Sequence, residues 1–195
     1  RTLPLFQDLG SKQLRQMADV LQSFWAPVGT NILTVNETGR YVYVLVEGTV
    51  KIFLRRPGRS DVILALLGEG EVLGEIGGVD GQRPSADVLT LEDSHFFAMP
   101  REELWNCMQH VPQLGCNVSL IMARRLRQAT GQIQALATLD VYGRVARQLL
   151  AFSEAYGRKT DEGTLIPMRL KQHDLADLIA ASRVRVNQVM MHFRE

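Results

Sequence analysis

Between Val111 and Leu136, apolar residues recur at Leu114, Val118, Met122, Leu126, Ala129, Ile133 and Leu136, three or four positions apart. That spacing lays a single apolar stripe along one face of a helix. No proline falls between Gln113 and Leu136, so the helix can run for roughly six or seven turns. It carries Arg124, Arg125 and Arg127 and no acidic residue. The residues before it read as β-rich and those after it as helical. A long helix between two unlike halves is either the core helix of one large domain or a spine joining two. The narrow stripe and its small residues, Ala129 and Gly131, also suit pairing with another helix, a second copy included. The pattern leaves pairing and ordinary core burial both open.

The chain of 195 residues has room for one large domain or two small ones. Apolar residues make up 46% and charged residues 22%, which suits a packed globular core rather than a disordered chain. No apolar run approaches the ~18 residues of a membrane span, and no secretory signal is present. Cys107 and Cys116 form neither a disulfide framework nor a zinc motif, so reduced thiols in a cytoplasmic protein are expected. Because the sequence starts at Arg1 rather than Met, an original N-terminal segment is expected to precede it. Charge is unevenly spread: residues 1–110 hold 10 Lys/Arg against 14 Asp/Glu, and residues 111–195 hold 12 against 7. A polyanion would therefore favour the second half.

Residues 4–25 read as a helical lead-in, with Ser11 as cap and Leu14, Met17, Ala18 and Leu21 as its apolar positions. Ten of the sixteen glycines then fall between Gly29 and Gly81. They separate short β-branched runs at 41–46, 49–54, 62–66 and 86–89, with Pro57-Gly58 as a hairpin turn. Evenly spaced strands of this length argue for an antiparallel barrel or jelly roll, whose interior can hold a small ligand. The segment Gly74–Ala86 breaks the rhythm and reads as a loop. Its glycines allow close backbone approach to an anion. Glu75 can accept from a sugar hydroxyl, and Arg83 and Ser85 can hold a phosphate. A solvated surface loop fits the same residues.

Three motifs in order give these features a context: Tyr43-x-Leu45-x-x-Gly48-x-Val50-Lys51, then Leu66 through Gly70, then Gly74-Glu75-x-Gly77 followed by Ser85-Ala86. The series resembles the cyclic-nucleotide-binding barrel of the CRP/FNR family of bacterial transcription regulators. The resemblance implies an effector site at Gly74, Glu75, Ile76, Arg83, Ser85 and Ala86, with Glu75 on a ribose hydroxyl. An arginine before the matched Ser-Ala grips the cyclic phosphate in cyclic-AMP-binding members. Here Pro84 stands at that position and Arg83 lies one residue early. A cyclic nucleotide remains one candidate effector, beside another small molecule or none. The family's iron–sulfur members carry an N-terminal cysteine cluster that this sequence lacks, and His95 and His110 read as structural or solvated. No metal or iron–sulfur cluster is expected.

Beyond the stripe, Asp140 reads as the N-cap of a helix from Val141 to about Tyr156, ended by Gly157. A polar loop over 158–163 and an extended piece over 164–168 follow. In Leu170–Met190, Leu175, Ala176 and Ile179 face inward on one short helix. Ser182 caps a second, with Val186, Val189 and Met190 inward. Lys171, Gln172, Ser182, Arg183, Arg185, Asn187 and Gln188 are left to meet DNA, Arg at guanine or phosphate and Asn or Gln at adenine. This is a helix-turn-helix pattern.

Met122–Leu126 and Leu139–Ala146 resemble the family's dimer helix and hinge. Leu175-Ala176-x-x-Ile179-x-x-Ser182-Arg183-x-x-Val186 resembles its helix-turn-helix. The turn position usually held by glycine is Ala180, and Val184, Arg185 and Gln188 depart from the common recognition residues. A family-type operator geometry with a different base preference follows. The resemblance also makes the central stripe (Leu114, Val118, Met122, Leu126, Ala129, Ile133, Leu136) a homodimer seam. It matches Ala129 and Thr130 to two ligand-contacting positions, of which only Thr130 keeps a hydroxyl. The family's wing would begin beyond Glu195, so the chain as given is expected to be incomplete there.

The expected fold is therefore α+β: a cyclic-nucleotide-binding-type barrel over 1–110, a dimerisation helix over 111–138, and a helix-turn-helix domain of winged type over 139–195. The expected function is an effector-controlled, homodimeric regulator that binds a two-fold-symmetric double-stranded DNA operator and acts with RNA polymerase, without a membrane. The other reading is a ligand-sensing module whose helical half docks a protein. No catalytic triad, metal-ligand cluster or P-loop points to an enzyme.

Overall fold

The β-branched runs pair into two four-stranded antiparallel sheets in the computed structural model, which describes residues 3–58 and 61–194. After a 3-10 turn at Pro4–Phe6 and helix α1 (Ser11–Val20), the strands are β1 (Gln22–Ala26), β2 (Asn31–Leu33), β3 (Tyr41–Glu47), β4 (Val50–Leu54), β5 (Val62–Leu67), β6 (Val72–Leu73), β7 (Asp87–Thr90) and β8 (Ser94–Pro100). One sheet has the order β1-β8-β3-β6 and the other β2-β7-β4-β5. Helix α2 (Glu75–Asp80) lies between β6 and β7. Leu45, Leu67, Leu73, Val88 and Phe96 fill the space between the sheets, which makes a jelly-roll sandwich.

Helices α3 (Arg101–His110) and α4 (Pro112–Thr138) follow, then α5 (Val141–Tyr156), strands β9 (Arg158–Thr160) and β10 (Gly163–Leu165), α6 (Gln172–Leu178) and α7 (Arg183–His192). The outer face of the first sheet, through Val42, Val44 and Met99, packs on α3 and on Leu114, Val118 and Ile121 of α4. A separate core joins Phe53, Ile63 and Leu66 of the second sheet to Val145 and Phe152 of α5, Leu175 and Leu178 of α6 and Val186 of α7. The helical half thus rests directly on the sandwich.

Four local expectations change. The lead-in ends at Val20, because Gln22–Ala26 pairs with β8 as a strand. Gly10, not Ser11, caps α1: its amide donates to the Gln13 side chain at 2.8 Å. Gly74–Ala86 is not wholly loop, since α2 forms between Gly74 (φ 77°) and Gly81 (φ 78°). A Cβ at Gly74 would also sit 3.1 Å from the Tyr41 carbonyl, so glycine is required there on two counts. The polar stretch 158–163 is the start of the β9–β10 hairpin, turned at Asp161-Glu162.

Candidate functional site

The stripe on α4 divides into two parts. Leu114 (0% exposed) and Val118 (5%) are buried in this chain's own core. They are removed from the expected seam, because no partner can reach them. Leu126 (70%), Ile133 (69%) and Leu136 (42%) stand exposed, joined by Leu120 on the same helix and Leu150 on α5. Ala129 is exposed and Met122 half-buried. The rotation of a straight helix along its length lets one stripe serve both purposes.

Between the sandwich, α4 and α5 lies a cavity of about 460 Å3, within the range of small-molecule sites. Gly74, Glu75, Ile76, Ser85 and Ala86 line it from the barrel side; Met122, Arg125, Leu126 and Ala129 from α4; Arg147, Gln148, Phe152 and Tyr156 from α5. Two of the expected effector residues do not line it. Arg83 is exposed and its place at the cavity is taken by Pro84, which is buried. Thr130 is also exposed, and its hydroxyl donates to the Leu126 carbonyl at 2.9 Å.

Beside the cavity is a buried charge cluster that the sequence alone did not reveal. Glu71 is 2% and Glu75 4% exposed. Arg124 Nη2 donates to Glu71 Oε1 at 2.9 Å. Arg125 Nη2 donates to Glu71 Oε2 at 3.3 Å and to the Val72 carbonyl at 2.5 Å, and Arg125 Nη1 lies 3.5 Å from Glu75 Oε1. Two acids and two guanidiniums balance one another, as buried charges must. Burial pushes the Glu75 carboxyl above its usual range, against the opposite pull of Arg125. Burial, and then the charge of Glu71, raise the Tyr156 phenol as well. Arg124 and Arg125 sit one after the other on α4 and reach Glu71 together; a pair of adjacent arginines on the helix was the only sequence sign of it.

At the far end, Ser182 Oγ accepts from the Arg185 amide at 3.2 Å and starts α7. Ala180, in the turn before it, has φ 52°, the left-handed conformation the usual glycine would adopt freely. Arg144 Nη1 holds this turn from α5 through the Ile179 carbonyl at 2.7 Å. Lys171, Arg183, Arg185, Asn187 and Gln188 are exposed and Gln172 is half-buried. Gln172 Nε2 donates to Asn187 Oδ1 at 3.0 Å and Arg185 Nη1 to Gln188 Oε1 at 3.1 Å, while the Arg185 guanidinium lies 5.4 Å over the Tyr142 ring. Arg183 has no such partner among the described residues.

Residues 25–111 match the cyclic nucleotide-binding domain, and residues 143–195 match the Crp-like helix-turn-helix domain. The chain belongs to the CRP/FNR family. It is 27% identical over 189 residues to the CRP-like cAMP-activated global transcriptional regulator of Mycobacterium tuberculosis, covering 97% of this chain and 84% of that relative. It is 29% identical over 187 residues to the cyclic AMP receptor protein of Thermus thermophilus, covering 96% and 83%. The crystal structure of the catabolite activator protein of that organism superposes with a TM-score of 0.61, covering 98% of this chain and 86% of that one. The c-di-GMP-responsive regulator CLP of Xanthomonas campestris shares the fold at a TM-score of 0.74 and 20% identity, covering 95% and 92%. This CRP/FNR chain is thus a transcription regulator with a helix-turn-helix half and an effector-binding half. Among the described residues no group of His, Cys, Asp and Glu could hold a metal ion, and no helix is long and apolar enough to cross a membrane.

Proposed function

We propose that two copies of this chain pair along the exposed part of α4 and bind a two-fold-symmetric DNA site under the control of a small effector in the cavity. One observation supports the control step above all: the cavity is lined at once by the barrel, by α4 and by α5 of the DNA-binding half. A molecule seated there touches both halves, so it favours whichever arrangement fits it better. In the described arrangement α6 is packed on β5 through Leu175 and Leu178, and an effector acts by weighting this arrangement against others.

The α7 face supports DNA as the partner. Arg183, Arg185, Asn187 and Gln188 project from a capped helix set on its neighbour in helix-turn-helix fashion. Pairing through Leu126, Ala129, Ile133 and Leu136 would set two such helices in successive major grooves about 34 Å apart. RNA polymerase is the further partner through which a DNA-bound regulator acts. The effector to try first is a cyclic nucleotide, since both bacterial relatives are named for cyclic AMP. Gly74 and Glu75 remain in the cavity, while Pro84 removes the matched cation. Fluorescence anisotropy with genomic fragments, comparing the chain with Arg183→Ala, tests the reading. Loss of site preference in the variant supports it, and unchanged site preference removes α7 from recognition.

A further inference from the structure

Taking the cavity as the effector site, as proposed above, we infer that its anion seat has moved from the barrel to Arg147 on α5, and that its ligand is a singly charged organic anion with an apolar body. The barrel offers no cation there, because Pro84 lines the cavity and Arg83 does not. Among the described residues, Arg125 and Arg147 are the cations that line it. Arg125 is engaged by Glu71, by Glu75 and by the Val72 carbonyl. Arg147 is half-buried and has no acid or carbonyl partner among the described residues. Its guanidinium is pressed over α4 so closely that a Cβ at Gly131 would collide with it. A guanidinium without a counter-ion at the wall of an apolar cavity is a ready seat for an anion, through charge-assisted hydrogen bonds.

The charge balance fixes the ligand's charge. The quartet of Glu71, Glu75, Arg124 and Arg125 is neutral, so one negative group at Arg147 completes the site. A second would face the Glu75 carboxylate. Leu66, Leu73, Val88, Met122 and Phe152 supply the surface for the apolar body, and Glu75 accepts a hydroxyl or N–H of the ligand. Because Arg147 belongs to the DNA-binding half, the ligand's charge is read by the element that carries recognition. Occupancy then favours the arrangement that keeps Arg147 over the cavity.

The probe is 8-anilinonaphthalene-1-sulfonate, a singly charged anion, titrated by fluorescence against the full chain beside the uncharged N-phenyl-1-naphthylamine of the same ring system. Expected is one sulfonate probe per chain, with affinity lowered about tenfold or more by Arg147→Gln and restored in part by Arg147→Lys. Binding of the uncharged probe should change by less than about twofold in the same variants, and a cooperative urea transition shows that they fold. Ala151→Trp, which fills the cavity from α5, should abolish both. Cyclic AMP and cyclic GMP run as competitors separate a phosphate-bearing ligand from other anions. Either one displaces the sulfonate if it uses the same seat, and a failure of both assigns the seat to another organic anion. Sulfonate binding that survives Arg147→Gln or Ala151→Trp overturns the inference, as does a larger effect of Arg83→Ala. Sequence-specific DNA binding by the same preparations is read separately, so a wrong ligand class and a wrong regulator reading give different results.

Discussion

The Tyr156 hydroxyl, at the end of α5, donates to Glu71 Oε1 at 3.1 Å across 85 positions of sequence. That bond ties the DNA-binding half to the acid that Arg124 and Arg125 share. Hydrogen bonds to charged groups contribute about 1.5–3 kcal/mol. Tyr156→Phe should therefore lower stability by about that amount in urea unfolding. Glu71→Ala should cost more, about 3 kcal/mol, because it strips half-buried Arg124 of its carboxylate, leaves Arg125 with Glu75 alone and takes the acceptor from Tyr156. A smaller loss in Glu71→Ala than in Tyr156→Phe would show that the quartet is not what holds the halves together.

Ala180 offers a gain. Its φ of 52° puts a Cβ in the left-handed region, at about 1–2 kcal/mol. Glycine relieves that and loses part of the benefit to unfolded-chain entropy. Ala180→Gly should raise stability by about 0.5–1 kcal/mol, read as a higher urea midpoint with an unchanged slope. A lower midpoint would mean that the Ala180 side chain contributes packing that outweighs the strain.

Glu75 sets a pH dependence. Its folded carboxyl titrates above the ordinary 4.5, so between that value and its folded pKa the native state holds more protons than the unfolded one. Stability must then fall as pH rises through this window. Glu75→Gln removes the titration, keeps the shape and leaves Arg125 its bonds to Glu71. Unfolding measured from pH 4 to pH 8 should show the variant gaining on the parent as pH rises. Parallel curves would contradict the raised carboxyl.

Pro84 separates loss of a cation from loss of the site. Pro84→Arg returns a charge to a position that lines the cavity, and calorimetry should find cyclic AMP binding strengthened by about tenfold or more. Arg83→Ala should change it less than about twofold, since that side chain is exposed outside the cavity. Weakened binding in Arg83→Ala would show that the 83–85 segment rearranges around its ligand.

The elements that periodicity governs were legible from the residues. The strands over 41–54 and 62–67, helix α5 from its Asp140 cap, and the Ser182-capped α7 all follow from local spacing and capping. Helix α2 was not legible, because Gly77 and Gly78 within six residues speak against a helix. It stands on its glycine ends and on the packing around it. The β9–β10 hairpin is polar and exposed, so no alternation announced it. The stripe on α4 has one period whether it meets its own core or a partner. Only the fold separates Val118, which is buried, from Leu126, which is exposed two turns further on. Arg147 and Tyr156 reach the cavity across long sequence separations, which no local pattern encodes.

The most direct measurement is selection of bound fragments from a random double-stranded DNA pool by the full chain, with and without cyclic AMP, followed by anisotropy on the enriched sequence at several salt concentrations. Expected is a two-fold-symmetric site with half-site centres about 34 Å apart. It should be bound by two chains, lost in Arg183→Ala together with Arg185→Ala, and lost when Ile133→Asp breaks the α4 pairing. Salt-sensitive binding with no enriched sequence, or an enriched site bound equally well by the Ile133→Asp monomer, would contradict it.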